Sequence, residues 1–148
     1  MPAQTTRLSP QQLIEVAKKP NLGYNDKNWN AVRASVTPDI VYDEVANHRR
    51  LQGVDQVIAA WQGWAKALPD SKCTFDNAVA SGNTVILELT WRGTHTGPLE
   101  SPTGTIAATG KSIEVRACAV CEIEGEKTRA QRHYFDMTTL LRQIGVAK

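Results

Sequence analysis

The second half of the chain consists largely of strand-length segments with short glycine-bearing joints, and this pattern constrains the fold more than any other feature. "KCTFDNAVA" and "TVILELTWRGTH" flank Ser81-Gly82-Asn83, while "KSIEVRACAVCEI" and "KTRAQRHYF" flank "EGE". Each pair is expected to form an antiparallel hairpin. "GPLESPTGTIAATG", rich in Gly and Pro, is expected to be a loop between the pairs. Four long strands need a cover for one face, so the rest of the chain has to supply it.

The first half reads as that cover. Ser9 before Pro10 is a cap followed by proline at the first helical position, with Leu13, Ile14 and Ala17 turned inward. Asp26 is expected to cap a second helix carrying Trp29, Val32 and Val36 on one stripe and ending near Pro38. "DIVYDEV" (39–45) reads as a short strand and "ANHRRLQG" as a polar loop. After Gly53, residues Val54, Val57, Ile58, Trp61, Ala65 and Leu68 recur at helical spacing. A last helix follows Asp136, with Leu140, Leu141 and Ile144 as its apolar stripe and Gly145 as its stop. Helices first and antiparallel strands afterwards make an α+β fold: a curved sheet with helices over one face.

The 148 residues suit a single domain with residues 1–8 as a flexible N-terminus. A net charge of +2, with Lys and Arg scattered, argues against nucleic acid or an anionic membrane as partner. No segment approaches the ~20 apolar residues of a membrane span. The N-terminus lacks the apolar core of a signal peptide, so a cytoplasmic protein is expected. The three cysteines, Cys73, Cys118 and Cys121, agree with a reducing compartment. Cys118 and Cys121 are three apart on a strand and point to opposite faces, which suits burial rather than a shared metal. With no HxxxH or HxH pair and no phosphate loop in a strand-to-helix setting, neither a metal nor a cofactor is expected.

The element order resembles the nuclear transport factor 2-like fold, a cystatin-like α+β barrel. "ALPD" (67–70), "TWRGTHTGPL" (90–99), "ATGKSI" (108–113) and "YFDMTTLLRQIG" (134–145) resemble the SnoaL-like polyketide cyclase or ester cyclase group over roughly residues 10–147. The resemblance implies a cone-shaped curved antiparallel sheet wrapped around the N-terminal helices, an apolar cavity, a homodimer through the exposed sheet face, and a small hydrophobic molecule as ligand. It implies a cofactor-independent acid/base enzyme, with ring closure of a carbonyl or polyketide-like compound as the leading chemistry. A non-catalytic ligand carrier of the same fold is the alternative, and isomerase, dehydratase or epoxide hydrolase chemistry the further ones.

In this resemblance the general acid/base is Asp136 at the end of the last strand, with Tyr42 and Glu44 from the early strand beside it and His95 as a further donor. Trp91, Leu89, Tyr134, Arg116, His48 and Trp61 are the expected substrate contacts. Leu89 and Trp91 stand where epoxide hydrolases of this fold carry an Arg and an Asp, which counts against epoxide opening. Strand alternation itself says only that Arg132, Tyr134 and Asp136 share one face and His133 and Phe135 the other. The resemblance puts the first set inward and His133 outward.

Each of these residues also has a plain structural reading. Asp136 is a favoured helix cap, and backbone N–H groups at 138–139 would lower its pKa, whereas an apolar pocket would raise it. Glu44 suits a solvated strand end, His95 a turn, His48 a solvent-facing loop, and Trp29, Trp61 and Trp64 core packing. The Thr and Gly residues of "GTHTG" suit backbone shape alone.

Overall fold

A computed structural model describes residues 7–101 and 103–146. In chain order the elements are α1 (Pro10–Asn25), α2 (Trp29–Ala34), β1 (Val36–Glu44), a short 3-10 turn (Val45–Asn47), β2 (Arg49–Gln52), α3 (Val54–Ala67), β3 (Lys72–Ser81), β4 (Thr84–Thr94), β5 (Leu99–Ser101), β6 (Gly104–Ile106), β7 (Ser112–Glu124), β8 (Lys127–Phe135) and α4 (Met137–Gln143). The main sheet runs β2-β1-β8-β7-β4-β3, with β2 and β3 as free edges, so it curls without closing. All pairs in it are antiparallel except β1 with β8, which are joined by most of the chain and so can run parallel.

The helix signals act as expected at the N-terminus. Ser9 and Gln12 form a reciprocal capping box, with Pro10 as the first helical residue. Asp26 does not cap α2: it ends α1, and Asn28 accepts from the Ala31 N–H instead. The polar stretch after Glu44 contains β2, which the sequence reading missed because β2 is a four-residue edge strand with little apolar content. Pro38 sits exposed in β1, in the stretch where the β1–β8 register shifts, so no ladder hydrogen bond is lost. The loop expected at 97–110 holds the small β5–β6 hairpin. Of residues 1–8, expected to be a flexible N-terminus, residues 1–6 lie outside the described residues, while Leu8 packs against the core.

Three apolar clusters fill the concave side. Leu13, Val16 and Ala17 of α1 pack on Val85, Leu87 and Leu89 of β4 and on Cys121 of β7. Tyr24, Val32, Ile40, Tyr42, Val57 and Trp61 join α1, α2, β1 and α3. Leu68, Leu99, Ile113, Val115, Leu140 and Ile144 close the end beneath α4. Cys121 faces this core and Cys118 the convex side, while burial pushes the thiols of Cys73 and Cys121 up to about 11, so these two thiols behave as packing groups. No described helix is long and apolar enough to cross a membrane.

Candidate active-site cavity

Between helices and sheet lies a cavity of about 70 Å³. Its walls are largely aromatic and aliphatic: Tyr24, Tyr42, Trp61, Trp64, Trp91 and Phe135 among others. As it stands it suits a single small ring, and a polycyclic guest would have to displace a wall.

His133 is the polar centre of this wall. Its Nδ1 is 3.0 Å from Tyr42 Oη, and its Nε2 is 3.2 Å from Trp91 Nε1. An indole N–H can only donate, so Nε2 is the acceptor and the ring proton sits on Nδ1. Nδ1–H then donates to Tyr42 Oη, and the phenolic proton is left for the Glu44 side chain, with which Tyr42 also shares a hydrogen bond, or for a guest. Burial holds the imidazole neutral, pushing its pKa down to about 4, with the Glu44 charge opposing the shift. Burial, and secondarily the Glu44 charge, pushes the Tyr42 phenol well above its usual range. The pair is an uncharged donor–acceptor relay at neutral pH.

Glu44 lies behind this pair. It is fully buried, and its carboxylate accepts from Asn47, from Arg49 Nη2 at 3.0 and 3.1 Å, and from Trp64 Nε1 at 2.9 Å. Saturated in this way, it anchors a wall and has no spare lone pair directed at a guest; it is not one of the cavity-lining residues. At the other end of the cavity, Tyr24 Oη is 2.6 Å from Ser71 Oγ, and Gln131 Nε2 donates to Asn21 Oδ1 at 3.2 Å.

The expected site is therefore brought together only in part. Tyr42, Trp91 and Trp61 line the cavity. Leu89 is buried on the same face of β4, packed in the neighbouring cluster. Tyr134, 43% exposed, and Arg116, also exposed, stand on the convex face, and His48 is an exposed left-handed residue ending the 3-10 turn. Asp136 is exposed as well. Its Oδ1 accepts from the Thr138 N–H at 3.0 Å and its Oδ2 from Thr139 Oγ1 at 2.8 Å, so it caps α4. The Thr139 hydroxyl, with the backbone N–H groups of 138 and 139, holds its pKa below the usual carboxylate value, the opposite of what a general acid at neutral pH needs.

At β8 the inward face is the opposite of the one that the family resemblance implies. His133 and Phe135 face the cavity, while Tyr134 and Asp136 do not. Strand alternation pairs these residues as the structure does, and Phe135 is the signal for the covered face: it is an apolar partner two residues from His133.

His95 is buried in a clasp. Its Nδ1 is 3.0 Å from Thr109 Oγ1, its N–H donates to the Lys111 carbonyl, and its own carbonyl accepts from Gly110. The neighbouring glycines serve the same clasp. A Cβ on Gly97 would lie 2.0 Å from the Lys66 carbonyl oxygen, and one on Gly93 would lie 2.9 Å from Ser71 Cβ. Asp70 of "ALPD" accepts from the Thr94 N–H at 2.7 Å and from its hydroxyl at 2.8 Å. The motif strings thus tie the loop after β4 to the end of α3. Among the described residues no group of three or more His, Cys, Asp or Glu side chains could hold a metal ion.

Comparison with known proteins places this geometry. The chain superposes on a protein named as a candidate SnoaL-like polyketide cyclase from Jannaschia sp. CCS1, with TM-score 0.83 and 17% identity, covering 99% of this chain and 100% of that one. TsrD from Streptomyces laurentii gives TM-score 0.80 at 21% identity, covering 95% and 99%. IdmH from Streptomyces antibioticus, named as a candidate polyketide cyclase, gives 0.77 at 20%, covering 91% and 99%. Identities this low establish the fold alone. A search of curated proteins gives no match. The model of the SnoaL-like polyketide cyclase family matches residues 15–144, and the chain belongs to that family.

Proposed function

We propose that the cavity takes a small, flat carbonyl compound and moves protons between its α-carbon and its oxygen through Tyr42 and His133. The observation that carries this reading is the uncharged Trp91–His133–Tyr42 chain in a cavity with no carboxylate among its lining residues. In the proposed step His133 Nε2 takes a proton from the acidic carbon as the Trp91 N–H yields its long hydrogen bond. The Nδ1 proton passes to Tyr42 Oη, and the phenolic proton passes to the carbonyl oxygen. The product is the enol, and the imidazole ends as its other tautomer with no net charge created. Such a relay suits a low-dielectric pocket, where separated charges are costly. A weakly basic imidazole restricts it to carbons already acidified, such as one between two carbonyls, and an enol so formed is the nucleophile that an aldol-type ring closure requires.

The test is deuterium exchange at the central carbon of acetylacetone, an open-chain 1,3-diketone that stays un-ionised at neutral pH, followed by NMR. Tyr42→Phe and His133→Asn are each expected to slow enzyme-promoted exchange by about 10²–10⁴-fold, while Asp136→Asn leaves it near wild type. Exchange that survives both relay variants, or that disappears in folded Asp136→Asn, would overturn the assignment. A second reading, a carrier without catalysis, is favoured by the same lack of a cavity carboxylate; it predicts diketone binding with no acceleration of exchange.

A further inference from the structure

The cavity has a neighbour. A recess of about 310 Å³ opens on the other side of α3, lined by Asn47, Arg49, Gly63, Leu99 and Met137 together with Trp64. Trp64 lines the inner cavity too, and among the described residues no other lines both. Its indole is fixed by the Nε1–H bond to Glu44 at 2.9 Å and by an edge-on contact with Phe135 at 6.1 Å. Glu44 is in turn held by Asn47 and Arg49, which face the recess. On the recess side the space is open, for a Cβ placed on Gly63 would meet nothing within 4 Å.

We infer that Trp64 is the partition that sets how long a ligand this protein accepts, and that the recess beyond it is the second half of a larger binding site. The inference rests on the reading that the inner cavity binds an apolar ring. With Trp64 in place, the inner chamber admits one ring. With the indole removed, the two chambers join, and an elongated ligand can lay its apolar body in the inner cavity and its polar end near Asn47 and Arg49. The latch is a single hydrogen bond to a carboxylate already held by two other residues. The indole can therefore swing away without leaving Glu44 unpaired.

Toluene and biphenyl, titrated by calorimetry and by NMR shifts of the cavity residues, separate the possibilities. Wild-type protein is expected to bind toluene and to bind biphenyl poorly. Trp64→Ala should strengthen biphenyl binding about tenfold or more while toluene changes little. Trp64→Phe, which keeps a ring but removes the latch, should retain most of the size limit. Trp64→Leu preserves apolar packing and serves if the alanine variant fails to fold. The partition is overturned if wild type binds biphenyl as well as toluene, or if folded Trp64→Ala or Trp64→Leu keeps the wild-type limit. If wild type binds neither compound, the reading of the inner cavity fails. The partition then stands only if one of the shortened variants gains biphenyl binding.

Discussion

Two stretches of the chain three residues apart show how differently the same backbone can use a titratable group. His133 lies on the covered face of β8, bonded at both ring nitrogens to Tyr42 and Trp91 inside an aromatic cavity. Asp136 lies at the seam between β8 and α4, exposed and bonded to the turn it starts. Burial holds the first neutral, and local hydrogen bonds hold the second ionised. Both groups are lowered in pKa, for opposite physical reasons, and desolvation is what sets them apart.

The sharpest way to break the contrast is to disturb what stands behind the cavity. Glu44→Ala leaves Arg49, Trp64 and Asn47 without their shared acceptor, and is expected to cost about 3–5 kcal/mol in denaturant unfolding. A loss under ~1 kcal/mol would mean that the carboxylate is far better solvated than its burial implies.

Acid pH probes His133 directly. The folded imidazole resists protonation down to about 4, whereas the unfolded one takes a proton near the ordinary histidine value of 6.5. Between those values the unfolded state binds more protons, so stability falls as pH drops through this window and is fully present above it. The loss should reach roughly 3 kcal/mol near the lower end, and His133→Gln should flatten this part of the stability–pH curve. Of the charged groups acting on it, Glu44 opposes the shift, so Glu44→Gln should deepen it.

The seam should yield the smallest effect. Asp136→Ala removes the α4 cap, a small loss visible as a slight lowering of the thermal midpoint and confined to α4. Site-resolved NMR should find the Asp136 carboxyl titrating below 3.8. A value raised toward neutrality would erase the contrast and return Asp136 to the cavity chemistry.

Much of the architecture was legible because local signals decide it. Gly82 and Gly125 turn the two long hairpins with positive φ, and the Ser9–Gln12 box opens α1. Signals that two segments can claim were less secure: Asp26 and Asn28 both suit a cap, and only the path of the chain chose Asn28. The site was harder to read for a related reason. Of the two most specific strings of the family likeness, "GTHTG" joins "ALPD" in a clasp between α3 and the loop after β4, through Asp70, Thr94, His95 and Gly97, and the terminal "D…LLRQIG" opens α4 with a cap. A motif can mark a close backbone approach as readily as a reaction.

By itself, the sequence determined the α+β order, the two long hairpins and the sorting of each strand into two sets of residues. Strand parity is a local property, so it could pair His133 with Phe135 and Tyr134 with Asp136. Which set faces inward depends on where α1, α3 and α4 pack, and a strand carries no record of that. Only the tertiary structure, by laying the helices over the face that bears His133, made that histidine the centre of the cavity and left Asp136 as a cap.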